Sequence, residues 1–130
     1  MGRGRVIVLD SSVILATAFD EPGKIDLSEL FETAAISSVN FGEVVSKLLE
    51  RGYDNDGFDY FIDRMTPICH PLTTAQALQA GRWRTATRQL GLSMGDRCCL
   101  ALGLVLGAEV YTADRAWAGL ELGVKVRVTR

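Results

Sequence analysis

Asp10, Glu43, Asp96 and Asp114 stand where short apolar runs give way to helix-period stretches. Asp10 closes VIVLD and Asp114 closes VYTAD, whereas Glu43 and Asp96 open helically spaced segments in NFGEVV and SMGDRCC. In an open parallel sheet such positions converge on the crevice at the strands' C-terminal ends. Four carboxylates in one crevice repel each other unless a divalent cation neutralises them. Hard oxygen donors suit Mg²⁺ or Mn²⁺, and such an ion activates water and offsets charge on a phosphate. The set therefore points to metal-dependent hydrolysis. Ser12 follows Asp10 by two residues and Thr112 precedes Asp114 by two. Hydroxyls there can bond a carboxylate or a metal-bound water. Arg97, beside Asp96, is a candidate phosphate contact, with a helix-surface salt bridge as the alternative.

Each acid alone also reads as a helix cap. Asn40 to Glu43 and Ser93 to Asp96 both have the spacing of a capping box. Asp10 and Asp114 can each cap the helix that follows their strand, and an acid at a helix N-terminus gains from the dipole. The functional reading rests on the four together, at positions that a parallel sheet brings to one edge. Glu50, Asp54, Asp56, Asp59 and Asp63 read as ordinary solvated charges.

The elements that must position these residues alternate. Residues 6–9 form a continuous apolar, β-branched run, as expected of a strand buried on both faces. Residues 34–38 predict a second strand. Residues 66–72 predict a third, whose two prolines suit an edge. Residues 109–112 predict a fourth, and 124–128 a half-exposed last one. Helices are expected over 13–19, 27–33, 39–51 with Gly52 as C-cap, and 58–65. A long helix capped by Thr73 or Thr74 is expected to reach Leu90. Ser93 caps a helix to Leu106 that is apolar nearly all round and hence central. A short helix is expected over 113–120. Residues 53–57 read as a polar loop. Strands alternating with helices imply an α/β sandwich with a mainly parallel sheet.

Composition narrows the class further. At 130 residues the chain is expected to be one domain spanning 1–130. A net charge of −2 and a pI near 5.4 announce no basic nucleic-acid-binding face. Cys69, Cys98 and Cys99 form neither a disulfide framework nor a usual zinc spacing. They read as reduced packing residues, which points to the cytoplasm. The apolar run before Asp10 is too short for a signal peptide, and no run is long enough for a membrane span. Gly103 and Gly107 read as close-packed small residues on a buried helix. His70, in the expected edge strand, reads as structural.

The segments VIVLDSSVILA, SSVNFGEVVSKL, LGLSMGDRCCLALG and VYTADRAW, in this order, resemble a PIN domain. More narrowly they resemble the VapC-type toxin ribonucleases of toxin–antitoxin pairs. The resemblance implies a three-layer sandwich with a roughly five-stranded parallel sheet flanked by helices. It implies an Mg²⁺ or Mn²⁺ site on Asp10, Glu43, Asp96 and Asp114, with Ser12 and Thr112 in supporting hydroxyl positions. It also implies RNA phosphodiester hydrolysis, a homodimer and a cognate VapB-like antitoxin that blocks the site. Ala116 and Trp117 stand where some members carry a further acid, so the number of metals stays open.

Rival readings are a non-catalytic PIN-fold assembly module, a housekeeping RNA-processing nuclease, and another strand-end phosphoryl-transfer protein. The last lacks the D-x-D or paired acids such proteins use, since Ser11 and Ser12 follow Asp10. Phe19, Leu30, Phe31 and Leu48 could line a partner groove or fill the core. Tyr53, Phe58 and Trp83 could stack on bases, although packing explains them equally. Arg84 and Arg88 share a helix face and Arg82 stands apart; all three read as solvated. Arg3 and Arg5 form a small basic tail.

Overall fold

The computed structural model describes residues 5–53 and 55–130, and within these the side chains of all but Glu29 and Leu30. Arg3, Asp54 and the Leu30 side chain thus lie outside the described residues.

Four strands carry short β-branched or small apolar runs, and a fifth has two residues. They are β1 (Ile7–Leu9), β2 (Ala34–Ser37), β3 (Cys69–His70), β4 (Glu109–Thr112) and β5 (Val126–Val128). They form one sheet of order β3-β2-β1-β4-β5 with every pairing parallel. The register sets Val8 against Ala35 on one side and Val110 on the other. β1 is therefore the central strand, and its sequence is apolar throughout because both faces are covered.

Side-chain alternation divides the core in two. Val8, Ala35 and Val110 pack with Trp83, Leu100 and Trp117. Leu9 and Ile36 pack on the other side with Ile14, Val44, Leu48 and Phe61. The helices that supply these residues are α1 (Ser11–Ala18), α3 (Ser38–Glu50) and α4 (Asn55–Met65) on one face. α5 (Thr74–Arg82) and α7 (Met94–Leu106) cover the other, with the single turns α2 (Leu27–Leu30) and α6 (Arg84–Thr87) between longer elements. This is the three-layer α/β sandwich expected.

Several expected boundaries move for identifiable reasons. α3 starts at Ser38, because the Ser37 hydroxyl accepts from Val39 N and caps it. Asn40 is thus in the first turn and Glu43 a turn inside the helix, so no capping box joins them. The expected loop over 53–57 is helical from Asn55. The expected strand over 66–72 is a 3₁₀ turn, Thr66–Ile68, followed by two strand residues at the sheet edge. The expected long helix to Leu90 breaks after Arg82 into α6 and a 3₁₀ turn, which Gly91 closes at φ 70. Thr87 is buried there with its hydroxyl donating to Trp83 O, a back-bond that competes with regular helix. The expected helix over 113–120 is the 3₁₀ turn Arg115–Gly119. The last strand begins at Val126 rather than 124.

α7 is buried through most of its length but emerges at Leu104 and Val105. Its two glycines do different work. A Cβ on Gly103 would sit 2.4 Å from Val110 Cγ2, so this glycine lets α7 lie close on β4. Gly107 ends the helix at φ 61 with open space around it. Among the described residues no helix is long and apolar enough to cross a membrane.

Candidate active site

Parallel strands β1 and β4 are adjacent and end together, so Asp10 and Thr112 meet at the sheet edge. Asp10 N donates to Tyr111 O at 2.9 Å, which ties the end of β1 to β4. The Asp10 side chain makes no helix-cap bond, although α1 follows immediately. Its Oδ2 accepts from Ser12 Oγ at 2.5 Å and from Thr112 Oγ1 at 3.0 Å. Its Oδ1 is buried with no partner, and the residue is only 2% exposed. An unpaired carboxylate oxygen inside a protein is costly.

The hydroxyls also order the loop after β4. Ala113 N donates to Ser12 Oγ at 2.9 Å and Asp114 N to Thr112 Oγ1 at 3.1 Å. Ser12 and Thr112 are therefore braces for Asp10 and for the backbone that carries Asp114. Asp114 itself is exposed, with Oδ1 accepting from Ala116 N at 2.9 Å as the cap of the following turn.

Glu43 is held from α1 and α3 together. Its Oε1 accepts from Ser11 Oγ at 3.1 Å and from Asn40 Nδ2 at 2.9 Å. Asn40 is fully buried, and its Nδ2 also donates to Gly95 O at 3.1 Å, joining α3 to the first turn of α7. A Cβ on Gly95 would lie 2.2 Å from Glu43 Oε2, so the carboxylate fits only because residue 95 has no side chain. Asp96 follows at once. Its Oδ2 accepts from Ser93 N at 2.9 Å while Ser93 Oγ accepts from Asp96 N, a complete capping box.

Electrostatics joins the four. Burial pushes the Asp10 carboxyl from 3.8 up to about 6; the Ser12 bond opposes this, Asp96 adds to it, Thr112 opposes it and Glu43 adds again. Asp96 is likewise raised, first by burial, against its Ser93 bonds, with Glu43 and Asp114 adding repulsion. The acids that the sequence brings to one edge thus repel each other across one crevice. Cys99 is fully buried, and burial together with Asp10, Asp96 and Glu43 holds its thiol far above the usual range. Cys98 and Cys69 are also raised by burial, and all three are free thiols.

Each of the four acids spends one oxygen locally. Among the described residues the other oxygen, Asp10 Oδ1, Glu43 Oε2, Asp96 Oδ1 or Asp114 Oδ2, takes no hydrogen bond. The orphaned Asp10 oxygen and the all-oxygen donor set fit a hard divalent cation. With Asp96 and Asp114 turned to their caps, no three His, Cys, Asp or Glu among the described residues are grouped so as to hold an ion. The carboxylates are gathered, but they are not preassembled as a ligand cage.

Arg97 is buried at 6% exposure, with Nη1 donating to Ala80 O at 2.8 Å and Nε to Ser93 O at 3.3 Å. It straps α7 to α5 rather than forming a surface salt bridge. Trp83 is buried; Tyr53 and Phe58 pack against the core, and the Tyr53 hydroxyl donates to Ala18 O. Phe31 and Leu48 are core residues rather than groove lining. Three residues that the sequence reading passed over complete the site: Ser11, Asn40 as a brace, and Gly95. A buried-type Asn one helical turn before Glu43, on the same face, was the legible signal.

A family model for the PIN domain matches residues 7–121, so the chain belongs to the PIN domain family. The fold resembles those of VapC toxins. DNA-bound VapBC from Salmonella typhimurium superposes with a TM-score of 0.73 at 17% identity, covering 98% of this chain and 100% of that one. VapBC2 from Rickettsia felis, bound to a promoter DNA fragment, gives 0.72 at 16% identity, over 95% and 98% of the two chains. Mycobacterium tuberculosis VapC20, a toxin that cleaves the sarcin-ricin loop, gives 0.69 at 18% identity, over 92% and 98%. No curated protein matches the sequence.

Proposed function

We propose that this chain is a divalent-metal-dependent endoribonuclease and the toxin of a type II toxin–antitoxin pair. PIN domains are typically nucleases, and the structural neighbours include toxin–antitoxin complexes. The observation that carries the reading is Asp10 Oδ1, buried and unpartnered beside three further carboxylates. Caps alone account for Asp96 and Asp114, but nothing structural accounts for leaving that oxygen bare.

Asp10, Glu43, Asp96 and Asp114 would hold Mg²⁺ or Mn²⁺. When bound, the ion supplies a water of lowered pKa and neutralises charge on the scissile phosphate. The chain's own residues do the positioning. Ser12 and Thr112 fix Asp10 by one oxygen and keep the other free, while Ser11 and Asn40 do the same for Glu43. Asp96 or Glu43 would orient the water and take its proton. A VapB-like antitoxin and a homodimer belong to the same proposal.

The test is cleavage of a total RNA pool by the antitoxin-free chain with Mg²⁺ or Mn²⁺, with EDTA, and with Asp96→Asn. Discrete fragments that require both metal and Asp96 are expected, and their ends name the target. Cleavage indifferent to Asp96 is a contaminant's. No cleavage under any metal would move weight to the non-catalytic assembly module or to a substrate outside the pool.

A further inference from the structure

The crevice does not end at the carboxylates. A cavity of about 770 Å³ opens beside Ser12 and Asp114, between α1 and the turn after β4. Leu15, Phe19 and Pro22 give it apolar walls, and Arg51, Arg115 and Arg130 line it with guanidinium groups. All three arginines are exposed. The ion pairs among the described residues are Lys24 with Asp20, Lys47 with Glu50 and Arg127 with Glu109, so none involves these three. Glu21 and Asp114 are the carboxylates in the lining. In a chain of net charge −2, three arginines that form no ion pair among the described residues gather in one pocket beside the carboxylates.

Arg51 is further organised. Its guanidinium lies 3.8 Å from the centroid of the Phe19 ring, and Tyr53 meets the same ring edge-on at 5.7 Å. A cation stacked on an aromatic face is held flat, with its outer face free for a second planar group. Flat guanidinium planes and aromatic rings are the surfaces on which unpaired bases stack, whereas paired bases keep those faces inside the helix. The volume lies within the range of small-ligand sites, which suits a short stretch of single strand and not a duplex.

We propose that this cavity is a subsite for unpaired nucleotides flanking the scissile phosphate, with a base on the Arg51–Phe19 stack and phosphates on Arg115 and Arg130. The inference rests on the ribonuclease reading and adds the residues that would hold the strand where it leaves the carboxylates toward Asp114. Arg51 and Arg115 are thus specificity and affinity residues lying outside the carboxylate set.

Binding, measured apart from cleavage, tests it. A fluorescein-labelled ten-nucleotide RNA of mixed sequence is titrated with the full chain in EDTA, alone and annealed to its complement. The single strand is expected to bind at least about tenfold more tightly than the duplex. Arg51→Ala and Arg115→Ala are each expected to weaken single-strand binding about fivefold or more. Arg115→Ala should also reduce the slope of log affinity against log salt by about 0.7, the share of one phosphate contact on a single strand, whereas Arg51→Ala, which loses a base stack, should leave the slope nearly unchanged. Arg51→Lys should keep the salt slope and still lose affinity, since it keeps charge without the plane. Arg84→Ala, an exposed arginine outside the cavity, should match wild type, and melting curves establish that every variant folds. Arginine variants that bind like wild type, or equal affinity for duplex, would overturn the subsite. So would variants that lose an Asp- and Glu-rich peptide but keep RNA, since the cavity would then belong to a protein partner. If Asp96-dependent cleavage persists while the arginine variants bind normally, the subsite alone falls. If the chain neither binds nor cleaves RNA, the ribonuclease reading falls with it.

Discussion

Asp10 and Asp114 occupy equivalent places, each just after a parallel strand and just before a helical turn, yet they differ in burial and in what their side chains cap. Asp114 is exposed and caps the turn after it through Oδ1. Asp10 is 2% exposed, caps nothing with its side chain, and keeps Oδ1 unpaired. A cap gives helix stability, so its presence needs no functional cause. A buried carboxylate raised to about 6 works against the fold at neutral pH. The comparison separates acids that stability alone would keep from one that it would remove, and the latter points to function more strongly.

The largest effects are expected at Asp10. Asp10→Asn should abolish cleavage, lowering it at least about a hundredfold, while raising the stability of the metal-free chain. Moving a carboxyl from 3.8 to about 6 corresponds to no more than about 3 kcal/mol. The sign follows from proton binding. The folded state holds this proton more tightly than the unfolded state, so the wild type is favoured below pH 3.8. It loses that advantage as pH rises through about 6. Wild type and Asp10→Asn should therefore melt together near pH 4 in EDTA and diverge up to about pH 7, with the variant higher. Mg²⁺ at a thousand times its Kd should reverse the order, since it adds about 4.1 kcal/mol. Denaturation curves in EDTA that stay superimposed across this range would remove the argument from Asp10.

Much of this was legible in the sequence. Apolar runs ending in Asp10 and Asp114 give two central strands, and Ser93 marks the start of α7, whereas Gly107, expected as a close-packed residue, is its C-cap in open space. The break after Arg82 and the 3₁₀ turns were not legible. Thr87 and Trp83 each fit a helix by type, and only their tertiary burial makes the Thr87 back-bond decisive. The burial of Arg97 was not legible, because an arginine beside an acid on a helix reads as exposed until α5 packs against α7. Gly95 was read past because a glycine announces no neighbour until the fold sets Glu43 against it.

Gly95 yields the next effect. Alanine is the better helix former by about 1 kcal/mol, and at Gly42, where a Cβ meets nothing within 4 Å, Gly42→Ala should stabilise by roughly that amount and leave cleavage unchanged. At Gly95 the same change drives a methyl into Glu43 Oε2, so the carboxylate must leave Asn40 and Ser11. Gly95→Ala should instead destabilise by about 1–3 kcal/mol and lose most cleavage. If both alanines stabilise and both chains cleave alike, Glu43 is not held where its chemistry needs it.

The smallest effect sharpens the opening contrast, because at Asp114 cap and charge can be separated. Asp114→Asn retains an oxygen for Ala116 N and removes the charge, whereas Asp114→Ala removes both. In EDTA the alanine variant should lose about 1 kcal/mol, the usual worth of a cap, and the asparagine variant should stay close to wild type. Titrated with Mg²⁺, both should gain less melting temperature than wild type, by the same amount, because the ion senses only the missing charge. If the asparagine variant gains as much from Mg²⁺ as the wild type does, Asp114 is a cap and nothing more, and the ion would then rest on Asp10, Glu43 and Asp96 alone.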